Sequence, residues 1–233
     1  MTLFESFELI KFICNKDFSG NIITPERFNQ LIKVVNIDLF RKKYGLPEQY
    51  QPGRPIPKEY VEITLKNMDD LKIFKTYLED QAVTDGILSY PSDYAHRDQI
   101  IYKFTKTINN VATTLPRPVE IVREAQAAER RGNYTKQPTT QNPIGVVRSD
   151  GIAIYPDTIT LVDVSYYRWP TDPVFAYTLG DGFITYDADN STEFEWPVDE
   201  HQTLITMMLS YIGINLREAE IFQYAEMKKN KGE

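Results

Sequence analysis

The chain has 233 residues, with 26 Lys and Arg against 33 Asp and Glu, a net charge of −7 at pH 7. That length suffices for one sizeable core or two smaller ones, and 42% apolar with 25% charged residues excludes wholesale disorder. No run approaches the ~20 apolar residues of a membrane helix, and a single cysteine, Cys14, excludes an intramolecular disulfide and suits a reducing cytoplasm.

The opening residues MTLFESFELIKF carry acids inside an apolar pattern and no basic leader, so they do not read as a secretion signal. Leu3, Phe4, Phe7, Ile10 and Cys14 recur at helical spacing and predict a first helix. Thr24-Pro25-Glu26 opens a second with a hydroxyl cap, a proline where no N–H is needed and an acid at the positive end. Its apolar stripe is Phe28, Leu31, Ile32, Val35 and Leu39, and Arg41, Lys42 and Lys43 close it before Gly45. Residues 45–58, with four Pro and two Gly, read as an extended arm or linker. A short helix is expected from Asp69 or Asp70 to about Glu79, with Leu71, Phe74 and Leu78 inward.

From Gly86 the pattern changes to short apolar runs between turn residues. Strands are predicted at 87–90, 99–104, 144–148, 152–155, 160–168 and 183–186, with hairpin turns at Ser149-Asp150-Gly151 and Gly180-Asp181-Gly182. An Ala-rich helix from Pro118 to Arg131 interrupts them. Asp199 caps a helix with Leu204, Ile205, Met208, Leu209 and Ile212 on one face, and Asn215-Leu216-Arg217-Glu218 resembles a capping box for another reaching about Lys229. The expected fold is α+β: a bundle of N- and C-terminal helices with a central, sandwich-like β-rich domain. The expected borders are 1–84 for the N-terminal helices and arm, 85–197 for the β-rich part and 198–233 for the C-terminal helices.

Residues 1–133 are nearly neutral at +1, whereas residues 134–233 carry −8. Such a surface repels polyanions, because phosphate binding needs clustered positive charge. Arg41-Lys42-Lys43, Arg130-Arg131 and the Lys-rich end are short basic clusters, and tight sequence-specific DNA binding is not expected. Asp187 to Glu193 superficially resembles a calcium loop, but Thr192 and Val198 stand where that loop needs Gly and a bidentate Glu. His96 beside Asp93 and Asp98, and His201 beside Asp199 and Glu200, are single histidines with no marked nucleophile. Phosphate loops, HExxH and paired CxxC motifs are absent, so no catalytic residue, cofactor or metal is expected. A carboxylate pair for glycan hydrolysis has no local signature, and a cell-wall glycan hydrolase stays open as an alternative.

One ordered series of motifs carries a resemblance. Gln137 to Ile144 is followed by Asp150-Gly-Ile-Ala-Ile-Tyr155-Pro156, then by Ser165-Tyr166-Tyr167-Arg168-Trp169-Pro170. Glu193-Phe-Glu-Trp196-Pro197 and a helix containing Gly213 to Glu220 complete it, with Tyr90-Pro91-Ser92-Asp93-Tyr94 upstream. This order resembles the head-to-tail connector (adaptor or neck ring) proteins of tailed bacteriophages, most of all those of crAss-like phages. The resemblance implies a non-enzymatic virion subunit, about twelve copies of which form a closed ring below the portal. It implies as partners the portal, adjacent neck or tail rings, further copies of the chain and genomic DNA passing non-specifically through the lumen. It implies no membrane partner, assembly in the host cytoplasm and residence at the virion neck. Alternatives are a stopper or tail-tube ring farther from the capsid and a carbohydrate- or protein-binding module. The candidate interface residues are Tyr50 and Arg54 on the arm, Tyr155 and Pro156, the run Tyr166, Tyr167, Arg168, Trp169 and Pro170, and Trp196 with Pro197. Each has a plain structural alternative: a strand with one aromatic on each face for the run, and a core anchor before a helix for Trp196-Pro197.

Overall fold

The computed structural model describes residues 1–14, 23–45, 68–108, 111–180 and 183–213. The fold is α+β, and the chain divides into two compact units, one of residues 1–73 with 170–233 and one of residues 74–169. The borders therefore fall at 73/74 and 169/170, not at the 84/85 and 197/198 that the composition shifts suggested. Tyr50, Arg54 and most of the Pro-rich arm lie outside the described residues, as does the helix expected from Asn215.

The unit that holds both ends of the chain is built on α1 (Leu3–Cys14), α2 (Pro25–Tyr44) and α4 (His201–Gly213). Thr24 caps α2 as its sequence predicts, its hydroxyl oxygen accepting from the Arg27 N–H at 3.4 Å. Leu3, Phe7 and Ile10 of α1, Phe28, Ile32, Val35 and Leu39 of α2, and Leu204 and Met208 of α4 are buried. The Phe7 ring lies 5.1 Å from Phe28 and 4.7 Å from Phe175, which arrives on the returning chain. N- and C-terminal helices pack together, as expected. A two-stranded ribbon, β9 (Tyr177–Gly180) and β10 (Phe183–Tyr186), also belongs to this unit.

Two buried polar clusters close it. The Asn36 amide donates to the Thr171 carbonyl at 3.0 Å and its oxygen accepts the Trp196 indole N–H at 2.7 Å. At the end of α2, Lys43 Nζ lies 2.7 Å from Asp70 and 2.8 Å from Glu200, all three side chains largely buried. Burial alone would push the Lys43 ammonium down, but its two carboxylates outweigh that and hold it above the ordinary lysine value.

Residues 74–169 form two four-stranded sheets around one core. The first has the order β1 (Lys75–Ala82), β8 (Leu161–Arg168), β3 (Tyr94–Ile108), β4 (Val111–Pro118), all antiparallel. The second has the order β2 (Ile87–Ser89), β7 (Gly151–Tyr155), β6 (Ile144–Val147), β5 (Glu120–Val122). Ile100, Val162, Val164 and Tyr166 from the first meet Leu88, Ile152 and Ile154 from the second, giving the expected sandwich. Gly151 starts β7 because a Cβ there would sit 2.3 Å from the Leu88 carbonyl oxygen.

Two sequence expectations are corrected. The helix expected from Asp69 or Asp70 to about Glu79 stops at Phe74: residues 68–70 are α-helical, Leu71–Phe74 is a tighter helical turn, and strand β1 follows. Leu71, Phe74 and Leu78 do turn inward, but Thr76, Tyr77 and the long-range partner β8 favour an extended backbone from Lys75 onward. The helix expected over 118–131 begins only at Glu124, as α3 (Glu124–Gly132). Pro118 ends β4, and Glu120 to Val122 pair in parallel with β6. A parallel pair needs a crossover, which α3 supplies.

Two substitutions test these clusters. Asn36→Ala leaves the Trp196 N–H and the Thr171 carbonyl without partners and is expected to cost about 2–3 kcal/mol, read as a lower urea midpoint. Lys43→Met strands two buried carboxylates and is expected to cost about 3 kcal/mol, largely recovered in Lys43→Met with Asp70→Asn and Glu200→Gln.

Candidate functional site

The motif residues fall into two groups. Tyr166 and Tyr167 alternate across β8, the central strand of its sheet. Tyr166 points into the sandwich core and donates its hydroxyl to Asp93 at 2.9 Å. Tyr167 is buried on the opposite face, with Lys75 Nζ 5.9 Å from its ring centroid. Arg168 lies over the Phe74 ring at 5.6 Å, and the Trp169 N–H donates to the Asp93 carbonyl at 2.9 Å. Pro170 is buried, Trp196 is buried on Asn36, and half-buried Pro197 precedes the turn that leads into α4. Tyr166, Tyr167, Pro170 and Trp196 pack within their own units, whereas the Trp169 side chain is exposed.

Tyr155 and Pro156 are placed differently. They line an open groove of about 190 Å³ with Arg131, Gln137, Pro138 and Asp157. The Arg131 guanidinium lies 4.3 Å above the Tyr155 ring, and Arg148 donates to the Tyr155 hydroxyl at 3.2 Å. A guanidinium stacked this way keeps its N–H edge available for hydrogen bonds.

The most conspicuous feature is one that short apolar runs could not reveal. β3 pairs with β8 only over residues 94–101 and with β4 over 101–108, so residues 102–108 and 111–117 run on as a two-stranded ribbon past β8. Seven residues per strand give this ribbon a length of about 20 Å. None of its residues with a described side chain is buried. It carries Lys103, Lys106 and Arg117 and no acid at all. β4 is also the free edge of its sheet. The Val119 N–H donates to Ile100, so odd-numbered residues here face β3, and Ala112, Thr114, Pro116 and Pro118 face outward. The two prolines blunt the base of that edge, and the backbone of Ala112 and Thr114 leaves its outer half able to pair.

The ribbon is fixed at its root by charge. Lys103 Nζ lies 2.9 Å from Asp163 and 3.1 Å from Asp80. Asp163, buried on β8, also accepts the Tyr77 hydroxyl at 2.7 Å and the Asp80 N–H at 3.0 Å. Burial pushes Asp163 up, but those donors and Lys103 outweigh it and hold the carboxyl below the ordinary range. Lys103 is raised in turn, chiefly by Asp163. Beside them Asp98 accepts Ser165 at 2.8 Å and Lys75 at 2.7 Å, and it too stays below its usual value despite burial.

The other sequence candidates find local uses. The Asp187 carboxylate accepts from the Asn190 N–H at 3.3 Å and from its side-chain amide at 2.7 Å, closing a turn. Among the described residues no group of three His, Cys, Asp or Glu is arranged to hold a metal. The His201 ring shares a hydrogen bond with the Trp196 carbonyl, and burial holds His96 below its ordinary value. Lys106 has no carboxylate within ion-pair distance among the described residues. The arrangement is suited to presenting a rigid, basic, polar ribbon to another macromolecule.

No protein-family model matches the chain, and no curated protein is significantly similar to it in sequence.

Acid titration tests the root. Asp163 and Asp98 have depressed values, so their stabilisation is complete above about pH 4 and is lost as pH falls through their folded values. Asp163→Asn is expected to cost about 2 kcal/mol at pH 7, read as a lower urea midpoint. The variant should then lose less stability than the parent between roughly pH 5 and pH 2.

Proposed function

We propose that the chain is a non-enzymatic structural subunit of a tailed-phage virion: a neck ring that joins portal to tail and forms part of the DNA conduit. The observation that carries this reading is the β3–β4 ribbon. It runs on for about 20 Å beyond its pairing with β8, and apart from Tyr102, which packs against the sandwich core at its base, it presents its described side chains half-buried or exposed. Ordered strand surface of that length gains free energy when another chain covers it, and a ring offers a neighbour in a fixed place. The ordered motifs from Gln137 to Glu220, similar to those of phage connectors, support the same reading.

The charge distribution also fits. Residues 74–169 hold eleven Lys and Arg and eleven Asp and Glu, so the net −7 belongs to the other unit. Within that unit residues 170–200 carry eight acids and no Lys or Arg. An acidic wall lets a polyanion slide past without adhering. On this reading the acidic wall would be drawn from residues 170–200, apart from Glu200, which is buried on Lys43.

A density map of virion necks is the direct test. A ring of this fold below the portal is expected, with residues 170–200 turned to the lumen or to a neighbouring copy. A neck without this fold would sink the reading. Turnover of cell-wall glycan by the purified protein, abolished by replacing one Asp or Glu, would replace it with the hydrolase alternative.

A further inference from the structure

We infer that the basic β3–β4 ribbon of one copy docks on the β9–β10 ribbon of a second copy and on the acidic segment that follows it, in a head-to-tail contact. The inference rests on the ring reading and deepens it by naming the two surfaces. Three observations converge on it. The first is charge complementarity: residues 103–117 hold three cations and no acid, Lys103 being paired at the root, and residues 170–200 hold eight acids and no cation, Glu200 being buried on Lys43 and Asp172 lying 3.7 Å from Lys33. Charges segregated this cleanly within one chain repel like surfaces and attract unlike ones, which selects a heterologous over a symmetric contact.

The second is backbone pairing capacity. β4 presents the outward N–H and C=O groups of Ala112 and Thr114, and among the described residues β9–β10 pairs with no further strand. An isolated two-stranded sheet is marginal in water, and adding strands to it is favourable. The third is apolar exposure on the β9–β10 ribbon. Leu179 is 72% exposed and Ile184 49% exposed, and Asp187 and Asp189 follow β10 in the chain. Lys106, exposed and without a carboxylate at ion-pair distance among the described residues, is the cation that would meet those carboxylates. Duplex DNA is the rival occupant of a basic ribbon, but it would leave the exposed apolar side chains of β9–β10 uncovered.

Disulfide trapping in the full chain tests the contact. Cys14→Ala provides the background, and Thr114→Cys with Leu179→Cys places one thiol on each ribbon. Oxidation with diamide at high protein concentration is expected to give a ladder of multimers, because every copy offers one ribbon and accepts another. Thr114→Cys alone should stay monomeric. Adding Lys106→Glu should cut the ladder about tenfold, and further adding Asp187→Lys and Asp189→Lys should restore it by reversing both partners.

A cross-linked monomer would overturn the proposal, because the ribbon would then meet the β9–β10 ribbon of its own chain. Dimers of the Thr114→Cys variant would overturn it in favour of a symmetric contact. A ladder indifferent to Lys106→Glu, absence of any ladder, or loss of duplex DNA binding in Lys106→Glu with the ladder unchanged would each overturn it as well. A ladder in a protein absent from virion necks would keep the contact and reject the neck role. A neck ring without the ladder would do the reverse.

Discussion

The unit that holds both chain ends depends on how helix α2 receives the returning chain. After residue 169 the backbone re-enters as an irregular segment, and buried N–H and C=O groups there must find partners. Asn29 supplies both for Phe175, accepting its N–H at 2.8 Å and donating to its carbonyl at 2.9 Å, as a neighbouring strand would. Seven residues on, two turns along the same helix face, Asn36 donates to Thr171 and accepts from Trp196. Between those anchors Val174 exchanges both backbone bonds with Thr192, and the Ala176 N–H donates to Ser191. Pro170 and Pro173 shorten the list of donors to be satisfied. The two asparagines thereby let a long excursion, residues 74–169, leave and rejoin one helical core.

The β sandwich shows a different division of labour. Its interior is apolar and holds by area, whereas the outer face of the first sheet is held by paired charges on β1, β3 and β8. That outer network sits where the β3–β4 ribbon leaves the sheet, so Lys103 and Asp163 clamp the ribbon at its root. Of that clamp only Asp163 is buried, and its hydrogen bonds to Tyr77 and Asp80 hold it in place for Lys103. Phe7, Phe28 and Phe175 perform the matching task in the helical unit, their rings meeting at 4.7 to 5.6 Å.

Legibility in the sequence followed interaction range. α1 and α2 were readable because caps and a 3.6-residue stripe are local, and the α2 cap forms as expected. β6, β7 and β10 were readable because turn residues bracket short apolar runs. β1 was misread as helix although Asp85-Gly86 stood just beyond it. Those two residues take positive φ, 52° and 74°, and join Thr84 to Ile87 in the two-residue hairpin turn that an Asp-Gly pair signals. The candidate interface run on β8 proved to be core packing for Tyr166 and Tyr167, because a central strand buries both faces. Most of the ribbon was missed: the strand predicted at 99–104 reaches only its first residues, and 105–108 and 111–117, rich in Thr, are strands only because they pair with each other.

Sequence alone determined the class of the fold, helices near its ends, the turns of the second sheet and an uneven spread of charge. Those properties reside in neighbours a few residues apart. The tertiary structure decided which unit owns the acidity, that Asn29 and Asn36 stand in for a missing strand, and that an acid-free stretch becomes a free-standing basic ribbon. Each of these depends on pairing across tens of residues of chain, where register and burial, not local propensity, set the conformation.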